Sequence, residues 1–155
     1  MSDWVDRFHD KYVERKADEE IGAQRYRVAV QEACRLANLL KERVCHDVAK
    51  FQAKFPDRIE GPMNGDDDFA SGTKFRTSYF PLSILEFKLS SDRIDFKRRY
   101  KRTQDAPWAE ENGSILVKAD FDTESWFEHQ GNKLLTVEEV SQLLLSPIFD
   151  YALPR

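Results

Sequence analysis

The apolar positions of this chain change period once. Up to about residue 55 they recur every three or four positions, and from about residue 74 they recur every second position. The first spacing is that of a helix with one buried stripe, and the second that of a strand with one buried face. Val5, Phe8 and Tyr12, with Trp4 beside them, predict a first helix over residues 2–20 that Ser2 can cap. The stripe weakens between Asp18 and Gly22. A kink or short turn is expected there, because glycine inside a helix costs about 1 kcal/mol against alanine. A second helix is read to about Phe55 on the stripe Tyr26, Val30, Ala33 with Cys34, Ala37, Leu40, Val44, Val48, Phe51 and Phe55. Pro56 stops it.

Residues 57–73 are rich in Gly and Asp and read as a loop. Strands follow. Phe75, Thr77 and Tyr79 alternate with polar residues, as do Leu85, Phe87 and Leu89, and then Ile94, Phe96 and Tyr100 after a turn at Ser90, Ser91 and Asp92. Residues 103–113 read as a longer loop holding Pro107 and Trp108. Ile115, Val117, Ala119 and Phe121 form another inward row, a turn at 122–124 leads to a short strand at 125–130, and Gly131 and Asn132 turn again. Thr136 and Glu139 match a capping box at the head of a last helix, 136–146, which Pro147 ends. The apolar tail Ile148–Leu153 is expected to pack on the body. The alternation of one apolar and one charged face is that of an antiparallel sheet covered on one side. The expected fold is therefore α+β in two layers within one domain, 1–155. A helical front over 1–56 packs on a four- to five-stranded meander within 74–130, and a short C-terminal helix closes one edge.

At 155 residues the chain can bury a core without staples. Aromatic residues at 12%, with 11 Phe, argue against disorder. The charged start, Met1 to Arg7, has no apolar segment of a secretory signal. No apolar run approaches the ~20 residues of a membrane span. Both point to the cytoplasm and to no membrane partner. Cys34 and Cys45 stand 11 residues apart in the same predicted helix, about 16 Å along its axis, too far to pair. They are expected as buried free thiols; the other reading is a cross-chain bond in an antiparallel helix dimer.

The net charge of −4 is unevenly laid out. Residues 1–60 hold 12 acids and 12 bases, 86–102 hold seven bases against three acids, and 103–155 hold 10 acids against three bases. The basic strand 93–102 is the strongest candidate for chemistry, because basic strands with interleaved aromatics hold single-stranded nucleic acid. Alternation argues against that: Lys97, Arg99 and Lys101 face one way, while Ile94, Phe96 and Tyr100 face the core. The same strand also reads as a solvated face paired to Glu86, Asp120 and Asp122. Asp66, Asp67 and Asp68 suggest a cation, but the spacing fails a calcium loop, having Ser71 and Thr77 where Gly and Glu are required. Asp67 or Asp68 with Glu86 and Lys88 has the composition of a metal-dependent nuclease site, although a strand, not a helix, follows Lys88. His9, His46 and His129 are scattered, with no zinc spacing, nucleophile elbow or phosphate loop.

The expectation is a non-enzymatic, cytoplasmic protein-binding module, adaptor or inhibitor-like, with no cofactor and no metal. The nuclease and a nucleic-acid binder using strand 93–102 are the alternatives. Lys97, Arg99, Lys101, Trp108 and Trp126 are the expected contacts to another protein, and a homodimer through the helical front is expected because its helices outrun the sheet.

Overall fold

A single helix, α1 (Trp4–Lys54), runs for 51 residues without a break at Gly22. In the computed structural model, which describes residues 3–119, 124–134 and 136–154, the expected kink is absent. Gly22 lies fully in solvent, where one glycine costs about 1 kcal/mol and no proline or cap joins it to end the helix. The N-cap is Asp3, whose carboxylate accepts from the Val5 amide at 3.4 Å; Ser2 lies outside the described residues.

Seven strands follow: β1 (Ile59–Asn64), β2 (Thr73–Thr77), β3 (Leu82–Ser90), β4 (Arg93–Lys101), β5 (Ala109–Ala119), β6 (Ser125–His129) and β7 (Asn132–Leu134). Each is antiparallel to the next, in chain order across one sheet. The architecture is the expected α+β one, with more strands than the four or five anticipated. The additional strands are β1 and β7, and β7 takes in Asn132, which was expected in a turn with Gly131. β1 lies inside the stretch read as loop. It holds Pro62, which an edge strand tolerates because an edge need not donate from every residue. Its register slips between Glu60 and Met63, around Gly61. Gly61 has φ +129°, and a Cβ there would meet the Phe75 ring at 2.7 Å, so only glycine fits. β5, an expected strand, is lengthened: it begins at Ala109, five residues earlier than the loop 103–113 allowed. The turn expected at 122–124 lies for the most part outside the described residues.

The helix α2 (Val137–Ala152) opens on Thr136, whose hydroxyl accepts from the Glu139 amide at 3.2 Å, the expected cap. It then continues through Pro147, where it was expected to stop. Proline has no N–H for the carbonyl four residues back, here that of Leu143. Arg98 supplies the missing donor: its Nη2 donates to the Leu143 carbonyl and, at 3.4 Å, to that of Leu144. Arg98 is the one base of β4 on the core face, 6% exposed, and lies over the Phe96 ring. With the helix kept intact, Ile148 and Ala152 are buried and Phe149 stacks on Phe51 at 4.4 Å.

Both helices lie on the same face of the sheet, α1 against β5 and α2 against β3, and they touch each other. The core is Ala33, Leu36, Leu40, Val44, Val48 and Phe51 of α1 against Phe75, Leu85, Phe87, Ile94, Phe96, Ile115, Val117 and Phe127 of the sheet. Val30, expected in this set, is half-buried, and Cys34, expected buried, is exposed. Upstream the contrast is complete. Every residue from Asp3 to Arg27 is exposed, so Trp4, Val5, Phe8 and Tyr12 form a helical stripe with no cover.

If Arg98 replaces the donor that Pro147 lacks, the two residues are energetically coupled. Pro147→Ala should gain about 1 kcal/mol more in an Arg98→Met background than in the wild type, since a buried carbonyl left unpaired costs about 1–3 kcal/mol. Urea unfolding of the four-member cycle measures this. Effects that add within about 0.5 kcal/mol would contradict the coupling.

Candidate functional site

The charged face of the sheet, opposite the helices, is built by alternation. Phe87 pairs with Phe96 across β3 and β4 toward the core, so Glu86, Lys88, Lys97 and Arg99 face outward. The segment 65–72 folds back over these residues. Gly65 donates to the Gly72 carbonyl at 3.2 Å, and a 3-10 turn at Asp67–Phe69 closes inside that loop, with the Phe69 amide donating to Asp66 at 2.7 Å. Phe69, 8% exposed, is the plug. The Lys88 and Lys97 ammonium groups lie 4.9 and 5.3 Å from its ring centre.

The loop carries carboxylates onto the basic strand. Asp68 accepts from Lys97. Asp66 accepts from Arg99 at 2.7 Å and from Lys74 at 3.0 Å, and its own amide donates to Glu86 at 3.1 Å. Glu86 is 0% exposed and accepts from Arg99 at 3.0 Å. Lys74 beside Asp66 holds that carboxyl below the ordinary 3.8, with Arg99 adding to the effect. Lys97 does the same for Asp68. The face expected to be solvated is therefore half covered: Lys97 is 8% exposed. Asp120 and Asp122, the other expected partners of the basic strand, lie outside the described residues.

The structure brings Lys97, Arg99, Lys101 and Trp108 together and places Trp126 elsewhere. Trp108, 46% exposed, has the Arg99 and Lys101 cations 5.9 and 5.7 Å from its ring centre. Trp126 sits in β6 under the Lys133 ammonium at 4.5 Å, and lines a cleft with Tyr26, Ala29, Val117 and Ala119 at the point where α1 leaves the sheet. Sequence reasoning did not find Asp66, Phe69 and Lys74 as parts of the charged face. Their only local signal was the pair Gly65 and Gly72 bracketing an aromatic residue.

The charges of this face are largely paired with one another. The carboxylates of Asp66 and Glu86 converge on the Arg99 guanidinium, so a fixed cation occupies the position between them. Asp68 is held by Lys97 and does not share a partner with Glu86, while Lys88 donates to the Asp68 backbone carbonyl at 3.0 Å. Asp67 points into solvent. No three His, Cys, Asp or Glu side chains among the described residues gather into a metal-ligating group. Lys97 and Arg99 are likewise committed to carboxylates, while Lys101, for which no ion pair is found among the described residues, lies over Trp108 at the rim.

The depressed carboxyls set a pH dependence. Both contribute attraction in full above their ordinary value of 3.8, and the attraction is lost as pH falls through their lower folded values. Loop 65–72 should therefore stay on β3 and β4 at pH 4 and detach below it. Changing Lys74 and Lys97 to Met should move detachment to higher pH. Phe69 ring shifts in an NMR acid titration read it directly, and a loop that detaches with unchanged midpoint in the double variant would contradict the assignment.

Comparison with known proteins gives no relative: no family model matches the sequence, no curated protein is significantly similar, and no solved structure matches the fold significantly.

Proposed function

We propose that this chain is a non-enzymatic, cytoplasmic protein-binding module, adaptor or inhibitor-like, whose principal contact surface is the projecting part of α1. One observation carries the reading. Over residues 4–26 the helix exposes Trp4, Val5, Phe8, Tyr12, Val13, Ile21 and Tyr26, each at least 42% accessible. Trp4, Phe8 and Tyr12 repeat every four residues and therefore share a face. An aromatic row of this kind on an amphipathic helix is the feature that a protein groove or a second helix covers. Lys101, Trp108 and Trp126 add aromatic and basic contact points on the body, the residue types that anchor interfaces.

The other observations support the same class. Lys97 and Arg99 of β4 are neutralised by Asp66, Asp68 and Glu86, which weakens the field that would attract a phosphate backbone. The same ion pairs occupy Asp68 and Glu86, two of the carboxylates that a nuclease would use for a metal. Cys34 and Cys45 are free thiols, in keeping with a reducing compartment. No helix among the described residues is long and apolar enough to cross a membrane. Self-association through the helical front, a homodimer, is one assembly that the arm supports.

A photo-crosslinking side chain placed at Phe8 in the native host should trap protein adducts. The same probe at Asp10, on the far side of the helix, should trap few. Equal yields from the two positions, or nucleic acid as the adduct from position 8, would overturn the reading.

A further inference from the structure

The uncovered face of α1 is self-complementary. Its stripe positions are Trp4, Phe8, Tyr12, Arg15, Glu19, Gly22, Tyr26 and Val30, separated by steps of three and four residues that keep to one helix face. The row is symmetric about position 17. Trp4 mirrors Val30, Phe8 mirrors Tyr26, Tyr12 mirrors Gly22 and Arg15 mirrors Glu19. Each mirrored pair is also chemically matched: apolar with apolar, ring with ring, large with small, base with acid. At Gly22 an added Cβ would meet nothing within 4 Å, so a facing tyrosine ring has room.

We infer that the occupant of this face is a second copy of the chain, laid antiparallel about a two-fold axis level with residue 17. Residue i of one arm then lies level with residue 34 − i of the other. The inference rests on the protein-binding reading of the arm and names its partner. A two-fold pairing is isologous, so every matched contact occurs twice. Arg15 meets Glu19 of the second copy, and Glu19 meets its Arg15. Among the described residues Glu19 pairs with Lys16, at 3.9 Å, with both side chains more than half exposed, a contact too weak to hold it back. A parallel pairing would instead set Arg15 level with Arg15 and Glu19 level with Glu19. Like charges at such positions destabilise helix pairs.

The length of the arm fits this register. The helix begins at Trp4, behind its Asp3 cap, and burial against the sheet begins at Ala29. Trp4 of the second copy therefore arrives level with Val30, where the body begins, and the exposed stripe from Trp4 to Tyr26 is covered. At that point lies the cleft lined by Tyr26, Ala29, Val117, Ala119 and Trp126. Trp4, 69% exposed, is the side chain that reaches it. Asp3–Arg27 holds seven acids and six bases, so two arms carry almost no net repulsion. The register sets no cysteine level with another cysteine, and the pair is non-covalent.

Charge exchange at the axis tests the inference. Sedimentation equilibrium of the full chain should show the wild type at twice 18.2 kDa at micromolar concentration. Arg15→Glu places two acid–acid contacts at the centre and should raise the dimer Kd at least about tenfold. Adding Glu19→Arg to it restores both attractions in reversed order and should bring the Kd back to within about threefold of wild type. Circular dichroism of each variant checks that α1 persists. A monomeric wild type overturns the inference, as does a dimer indifferent to Arg15→Glu, and a double exchange that fails to restore pairing overturns the antiparallel register. A monomeric wild type that still crosslinks from position 8 to a different protein overturns the second copy alone and leaves the protein-binding face standing. Loss of both results overturns both.

Discussion

The structure depends on a mismatch of lengths. A helix of 51 residues is about 76 Å long, while seven strands at about 4.8 Å spacing span about 30 Å. One sheet face can cover less than half of such a helix. The buried residues of α1 run from Ala29 to Phe51, about 35 Å, which is the share the sheet can reach. The apolar stripe does not stop where the sheet does. It continues through Tyr26, Tyr12, Phe8 and Trp4 on a surface that the body has no means of covering. The packed half removes the nucleation cost of the exposed half, which is why a projecting helix of this length can form. The exposed half is where the molecule has binding capacity left.

Elsewhere the molecule neutralises its own polar groups. The deleted N–H of Pro147 is replaced by Arg98 from the facing sheet. The basic strand is met by carboxylates from the folded loop 65–72 and by Glu86 from its neighbour strand. A buried carboxylate such as Glu86 is tolerable because Arg99 and the Asp66 amide both bond to it. These pairings secure the loop and α2 to the sheet, and they leave the charged face with few unsatisfied groups to offer a substrate. The proposed contact surface is therefore the apolar arm, with Trp108 and Lys101 at the rim of the charged face.

The period switch made the layers legible. Leu40, Val44 and Val48 of the helix, and Leu85, Phe87, Ile94 and Phe96 of the sheet, are buried as their spacing required. What was not legible depended on distant partners. Pro147 reads as a stop in any local analysis, because the donor that rescues the helix comes from Arg98 in β4. β1 reads as loop because Gly61 and Pro62 fit only an edge strand whose pairing is irregular. Lys97 and Arg99 read as solvated because alternation reports which side a residue faces, not whether a loop returns to cover that side. The thiols were read as buried from a helix face one position too wide: Cys34 lies just outside the stripe that buries Ala33. For the arm, the stripe itself was visible in the sequence, and only the width of the sheet showed that it is left uncovered.

In the inferred assembly a second copy of the same chain covers this stripe. Hydrogen exchange followed by mass spectrometry over a dilution series reads that cover amide by amide. Protection of residues 5–26 should rise with protein concentration and fall on dilution, while residues 36–51, packed against the sheet, keep the same protection throughout. Protection of residues 5–26 that stays low and does not change with concentration would contradict that assembly.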